Sequence, residues 1–283
     1  MRIARFRHRD LVRVGLVDGE IVRVFDERHQ SVTSAIIGAI EAEATASATP
    51  IPLEDVTLLA PVDPTARIFA VAQNYTAHAR EVSGTDAPPA PIVFMKPVSS
   101  LIGSRQTISW PPVTSFLDYE AELAIVIGRE ARRVDQSEAD EVVFGATCFN
   151  DVTGRDLQSA TLGEKELIDW FSAKSLDASS PIGPWIVSLD SLGRRVDDLG
   201  IRCHVNGETV QDDRTSSMVR SVAELISFIS QRVALQPGDI LATGTPGGVG
   251  RARGVRLEDG DIVEIDIEAI GGLRNRVRAV GAQ

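Results

Sequence analysis

Histidine and cysteine are scarce: the 283-residue chain has four of the first and two of the second. Two cysteines cannot build the disulfide frame of a small secreted protein. Cys148 and Cys203, each in an apolar strand-like setting, read as reduced core residues. With no cluster of thiols and imidazoles, zinc is disfavoured as a ligand set. Positive charge is also short. Twenty-nine Lys and Arg stand against 40 Asp and Glu, a net charge of −11, which argues against nucleic acid as the main partner because phosphate binding needs a basic surface. No apolar run reaches the length of a membrane span. The opening residues carry charge without an apolar segment, so neither a secretory signal nor a transit peptide is expected, and the chain reads as cytoplasmic. There is no Gly-x-Ser-x-Gly nucleophile elbow. The glycine-rich run 244–250 lacks the Gly-Lys-Ser/Thr of a phosphate loop.

What is present suits one large domain with a small appendage. Residues 1–60 read as a β-rich module. Segments 11–17 and 20–25 alternate around Asp18-Gly19, a hairpin signal. A helix is expected over 31–44 with Ser31 as its cap, and 45–52, rich in Ala, Thr, Ser and Pro, reads as a linker. Residues 61–283 form the larger domain. Short strands are expected at 67–72, 92–94, 107–110, 185–188, 201–206, 240–243 and 261–267, with helical spacing at 74–84 and 221–231. Many strands, few helices and no regular βαβ rhythm point to an α+β fold on a large mixed sheet.

The most informative stretch is 116–158. As a strand, 117–127 places Asp118, Glu120 and Glu122 on one face and Tyr119, Ala121, Leu123, Ile125 and Ile127 on the other. Like charges one strand-step apart repel unless something neutralises them. Asp151 follows in a second apolar-flanked segment and could add a third carboxylate. Three carboxylates plus waters suit Mg²⁺ or Mn²⁺, hard ions with oxygen ligands. Alone, Glu-x-Glu on a strand is more often a solvated face. Arg155, Gln158 and Lys174 crowd further polar groups nearby.

His8, His29 and His204 read as surface residues. His78 stands three residues before Glu81, so on a helix the two side chains would meet, and a carboxylate beside an imidazole raises its basicity. The proline-rich run 87–91 after it reads as a mobile lid. Trp110, Trp170 and Trp185 read as core or pocket wall.

Taken in order, Asn74-Tyr75 with His78 and Glu81, Phe94-x-Lys96-Pro97, Asp118-Tyr119-Glu120-x-Glu122, Asn150-Asp151-Val152-Thr153-x-Arg155-Asp156-x-Gln158, Lys174-Ser175, Gly183-Pro184-Trp185, Asn206-Gly207-Glu208 and Thr243-Gly244-Thr245-Pro246 resemble the fumarylacetoacetate hydrolase family over about residues 60–275. The resemblance implies a mixed β-sheet folded on itself, a homodimer, and Mg²⁺ or Mn²⁺ held by Glu120, Glu122 and Asp151. It implies that His78 and Glu81 activate water, and that Lys174 positions substrate and stabilises oxyanions. Tyr75, Arg155 and Gln158 would bind substrate, and Thr245 would hold its carboxylate. Family members act on oxo acids, hydrolysing carbon–carbon bonds of 1,3-dicarbonyls, decarboxylating oxaloacetate, or isomerising dienoates. The approach 69–76 carries no acidic residue. That favours the acylpyruvate-hydrolysing branch over the branch with an extra aspartate ligand. Gln73 departs from the usual residue and leaves the substrate open, with Trp110 and Trp170 as the other expected pocket residues. Because the whole set is present, a non-catalytic oxo-acid-binding protein is the weaker alternative.

Overall fold

The computed structural model describes residues 1–162, 165–194 and 196–281. The chain opens with three antiparallel strands, Arg2–His8, Leu11–Asp18 and Ile21–Val24. The second turn is Gly19-Glu20, closed by the pair Asp18 and Ile21 and so one residue later than the expected Asp18-Gly19; Gly19 takes the left-handed backbone (φ 57°) that glycine accepts without cost. The first strand does not stop at the module. Arg2 and Ile3 pair antiparallel with Val187 and Ile186 of the strand Ser180–Ser188, so the module extends the main sheet.

From that joint the sheet continues through Val143–Asn150, Ala121–Ile127, Ile240–Ala242, Ile68–Ala72 and Ile92–Lys96. The pair Ile240–Ala242 and Ile68–Ala72 is parallel and its neighbours are antiparallel, so the sheet is mixed. A second sheet orders Glu208–Arg214, Gly200–Val205, Ile262–Ile267, Gly271–Ala279 and Thr107–Trp110. The two sheets pack face to face. Leu123, Ile125 and Ile127 share one apolar cluster with Ile201, Cys203, Ile265 and Leu273. Ala124 and Val126 face the other way, into a cluster with Val32 and Ile36 of the helix Val32–Ile40. The Ala121–Ile127 strand is therefore buried on both faces, which explains its nearly unbroken apolar run.

The helix Val32–Ile40 has the expected Ser31 cap. A carboxylate reinforces it: Val32 N and Thr33 N donate to Asp63 at 3.0 and 2.8 Å. The helix ends earlier than the expected residue 44, and Ala42 is left-handed (φ 57°). The stretch 45–52 is no free linker: Ala46 bridges Phe25, and Ile51–Pro52 pairs with Ile21–Val24 as an edge strand. His29 is not a surface residue. It is 6% exposed, with Nδ1 at 2.8 Å from Asp26 Oδ1; an acid three residues earlier was the available signal. Cys148 and Cys203 are buried in strands, and burial pushes both thiols up. No helix among the described residues is long and apolar enough to cross a membrane.

At Gly145 the sheet leaves no room for a side chain. A Cβ there would lie 2.0 Å from Val187 O. Because the opposing atom is backbone in mid-sheet, Gly145→Ala should cost about 3 kcal/mol, at the upper end for overpacking, read as a lower denaturant midpoint.

Candidate metal centre

Register places the carboxylates. The short strand Leu117–Asp118 pairs with Thr153–Gly154, and Ala121 pairs with Asn150. Between these ladders the backbone of Asp151 donates to Glu120 O (2.9 Å), and Asn150 Oδ1 accepts from Glu120 N (3.0 Å). These bonds bring Asp151 beside Glu120 and Glu122. Oxygens of the three carboxylates lie within 4.8 Å of one another, and all three residues are buried.

Three cations press on the cluster. Arg155 donates through Nε to Asp118 Oδ2 (2.7 Å) and through Nη2 to Glu120 Oε1 (2.6 Å). Lys174 Nζ bridges Glu120 Oε2 and Asp151 Oδ2, at 2.7 Å from each. Lys96 Nζ stands 2.7 Å from Asp151 Oδ1, off the hydrogen-bonding angle, and donates instead to Lys174 O at 2.6 Å. The Lys96–Asp151 contact is therefore ionic. Asp118 also accepts from Gly250 N and Arg251 N. Among the described residues, Glu122 alone of the four has no cation; its hydrogen bond is from Gly244 N, at 3.0 Å.

Ionisation follows that pattern. Burial opposes the charge on Glu120, but Lys174 and Arg155 overcome it and hold this carboxyl below the usual range. Burial, with Asp151 and Glu120 beside it, pushes Glu122 well above the usual range. Burial pulls Lys96 down. Lys174 is also buried, but Asp151 and Glu120 hold it above the usual lysine value. Four buried carboxylates face three buried cations, so full ionisation of the set would leave one negative charge uncompensated, at Glu122, which is why its carboxyl resists ionising. A divalent cation among three all-oxygen ligands would neutralise that charge, and the residues present fit such an ion.

A cleft opens on this cluster, lined by Gln73, His78, Val82, Phe94, Trp170 and Thr245. About 30 Å³ of it admits the centre of a water-sized sphere, room for about two waters. His78, on the helix Thr76–Ser83, is 5% exposed, and its Nδ1 has no hydrogen-bond partner among the described residues. Burial lowers its pKa to about 4, against a partly offsetting pull from Glu120. Glu81 does not touch His78 through a hydrogen bond. Its carboxylate accepts from Gly248 N (2.9 and 3.1 Å), clipping the helix to the glycine loop. Trp170 stacks on Phe94, ring centroids 4.8 Å apart.

Among the expected site residues, His78, Lys174, Arg155, Gln158, Thr245, Glu120, Glu122 and Asp151 all line the cleft. Tyr75 and Glu81 stand outside the lining, and the Tyr75 hydroxyl is buried without a partner among the described residues. Trp110 is not a pocket residue either; it sits at the edge of the second sheet and donates to Thr114 O.

The family model for the fumarylacetoacetate hydrolase C-terminal region matches residues 67–278. The chain belongs to the fumarylacetoacetate hydrolase family. A second model, Rv2993c-like N-terminal, matches residues 1–61. Within the family, the oxaloacetate tautomerase FAHD2A of Bos taurus mitochondria is 39% identical over 80% of this chain and 71% of its own length. The 2-hydroxyhepta-2,4-diene-1,7-dioate isomerase of Mycobacterium marinum superposes with a TM-score of 0.81 at 34% identity, covering 99% of both chains. The maleylpyruvate hydrolase of Sphingobium sp. SYK-6, solved with manganese(II) and pyruvate, superposes at 0.79 with 31% identity, again over 99% of both chains. Family relatives thus include tautomerase, isomerase and hydrolase types.

Two residues of this family site had no role assigned from sequence, Lys96 and Asp118. A signal existed for the first. The chain has only three lysines among 29 basic residues, and two of them, Lys96 and Lys174, are in this cluster. A compact ammonium fits between carboxylates where a guanidinium fork would not.

Proposed function

We propose that this protein is a divalent-cation-dependent enzyme that moves a proton at the carbon beside the oxo group of a small oxo acid. Tautomerisation of an oxaloacetate-like dicarboxylate is the leading reading. The observation that carries it is His78: a buried imidazole lining the carboxylate cleft, its Nδ1 without a partner among the described residues and its basic form present above pH about 4. Mg²⁺ or Mn²⁺, held by Glu120, Glu122 and Asp151, would supply Lewis-acid polarisation of the oxo group. Lys174 and Arg155 keep Glu120 ionised and the cluster rigid, so little reorganisation accompanies charge movement. His78 takes a proton from the substrate carbon and returns it elsewhere on the same molecule. Thr245 and Gln158 offer polar side chains to the remaining oxygens.

Carbon–carbon hydrolysis of an acylpyruvate is the second reading, supported by the likeness to maleylpyruvate hydrolase. It needs a water activated by His78 with Glu81 turned onto it, whereas Glu81 is engaged with Gly248 N. Dienoate isomerisation would use the same proton shuttle through His78, whereas oxaloacetate decarboxylation would release carbon dioxide without removing a proton from carbon and would need only a proton returned to the enolate. The cleft, with room for about two waters, would have to widen for any of these substrates.

A panel of oxaloacetate, acetylpyruvate, fumarylpyruvate and a dienoate, incubated with Mg²⁺ or Mn²⁺ in D₂O and followed by NMR and mass spectrometry, separates the readings. Deuterium entering oxaloacetate beside the oxo group, faster than without protein and with no loss of carbon, is the expected result. Cleavage of an acylpyruvate to pyruvate and a second acid would favour the hydrolase, and an unchanged panel would end both readings. His78→Ala should lower the rate about 10²-fold. The acid limb of the wild-type pH–rate profile should reach down toward pH 4, because protonation there, and not at the ordinary histidine value, removes the base. A limb centred near the unperturbed value, about 6.5, would contradict this environment for His78. The same shift has a stability consequence. The unfolded chain binds a proton at this residue between its ordinary value and about 4, so the protein loses stability as the pH falls through that window.

A further inference from the structure

Gln211 lies far from the carboxylates in sequence and in a different sheet, on the strand Glu208–Arg214. It is 2% exposed, and its amide reaches across to the site. Oε1 accepts from Ala121 N (3.0 Å), the residue between Glu120 and Glu122. Nε2 donates to Pro246 O (2.8 Å) and to Thr245 Oγ1 (2.9 Å). The two backbone partners leave no freedom in this assignment. An amide N–H can only donate and a carbonyl can only accept, so the oxygen must face Ala121 and the nitrogen must face Pro246. The nitrogen's second hydrogen then occupies a lone pair of Thr245 Oγ1, and the Thr245 proton must point elsewhere. Among the described residues nothing accepts it, and Thr245 lines the cleft.

We propose that Gln211 is a positioning residue that holds the Thr245 hydroxyl as a donor toward the cleft, so that this point of the site takes an acceptor oxygen of the substrate, a carboxylate or oxo group, and disfavours a donor such as an amide. The inference deepens the oxo-acid reading and rests on it.

Binding of oxalate to the Mg²⁺-loaded protein, by calorimetry at pH 8, tests it. Thr245→Val should weaken oxalate about ten- to hundredfold, the loss of one hydrogen bond to a charged group. Gln211→Met should weaken it too, and Gln211→Glu at least as much, since a carboxylate draws the Thr245 proton inward. In the Thr245→Val background, Gln211→Met should cost less than about twofold more, because both changes remove the same donor. Titration with Mn²⁺ alone should be unchanged in Gln211→Met. Wild-type oxalate affinity in both Gln211 variants, losses that multiply with Thr245→Val, or a parallel loss of Mn²⁺ would overturn the proposal; the last would make Gln211 a support of the carboxylate strand. If wild-type protein binds no oxalate with the metal present, the oxo-acid reading itself fails and takes this inference with it.

Discussion

Glu122→Gln should abolish metal-dependent activity, with a loss beyond about 10³-fold, while leaving the metal-free protein at least as stable as wild type. The two effects have opposite signs for one reason. Among the described residues of the cluster, Glu122 is the buried carboxylate without a cation, accepting from Gly244 N. Its charge is a cost in the empty site and a requirement in the loaded one. Glutamine keeps the volume and the acceptor for Gly244, and removes the charge. Melting curves with EDTA and with excess Mn²⁺ read both sides. Wild type should gain about 2.7 kcal/mol when the cation stands at a hundred times its dissociation constant, and the variant should gain little. A variant that is strongly destabilised in EDTA, or that keeps the full Mn²⁺ shift, would show that Glu122 is not the residue awaiting a cation.

Arg155→Met should destabilise the fold by about 3–5 kcal/mol, the range for removing one partner of a buried ion pair. Its guanidinium serves Asp118 and Glu120 at once, and all three side chains are at most 6% exposed. Taking it away leaves two carboxylates facing each other in a site already rich in negative charge. Asp118 would keep its bonds from Gly250 N and Arg251 N, and Glu120 would keep Lys174, so the loss should not exceed this range. Arg155→Lys should recover only part of it, because one ammonium cannot span both acids as the fork does. Denaturant unfolding without metal is the measurement. A loss under about 1 kcal/mol, the scale of a surface pair, would mean the pair is far better solvated than its burial implies.

The carboxylate face was legible because extended chain repeats every second residue, although the expected strand 117–127 is split into Leu117–Asp118 and Ala121–Ile127 with Glu120 between them. Asp118, Glu120 and Glu122 share a phase, and Tyr119, Leu123, Ile125 and Ile127 share the opposite one, which the first core cluster confirms. Asp151 was legible as a candidate from its apolar flanks, and the hairpin from the turn chemistry of Asp18-Gly19, although the turn itself falls one residue later, at Gly19-Glu20. Helical spacing placed His78 and Glu81 together, but spacing permits a contact without compelling it, and Glu81 found a backbone donor in the glycine loop. His29 was misread because a lone histidine among charges gives no sign of the helix packed over it, where Gly38 leaves room for its ring.

Residue order by itself determined the family, the carboxylate strand and the oxygen-only character of its ligands, since these depend on local periodicity and residue chemistry. Tertiary structure alone decided which charge neutralises which. Arg155 meets Asp118 across 37 residues, Lys96 meets Asp151 across 55 and Gln211 meets Ala121 across 90. Those distances close only when strands far apart in the chain reach their final registers. The pairing of buried charges is therefore a property of the packed core, and no segment of the chain carries it alone.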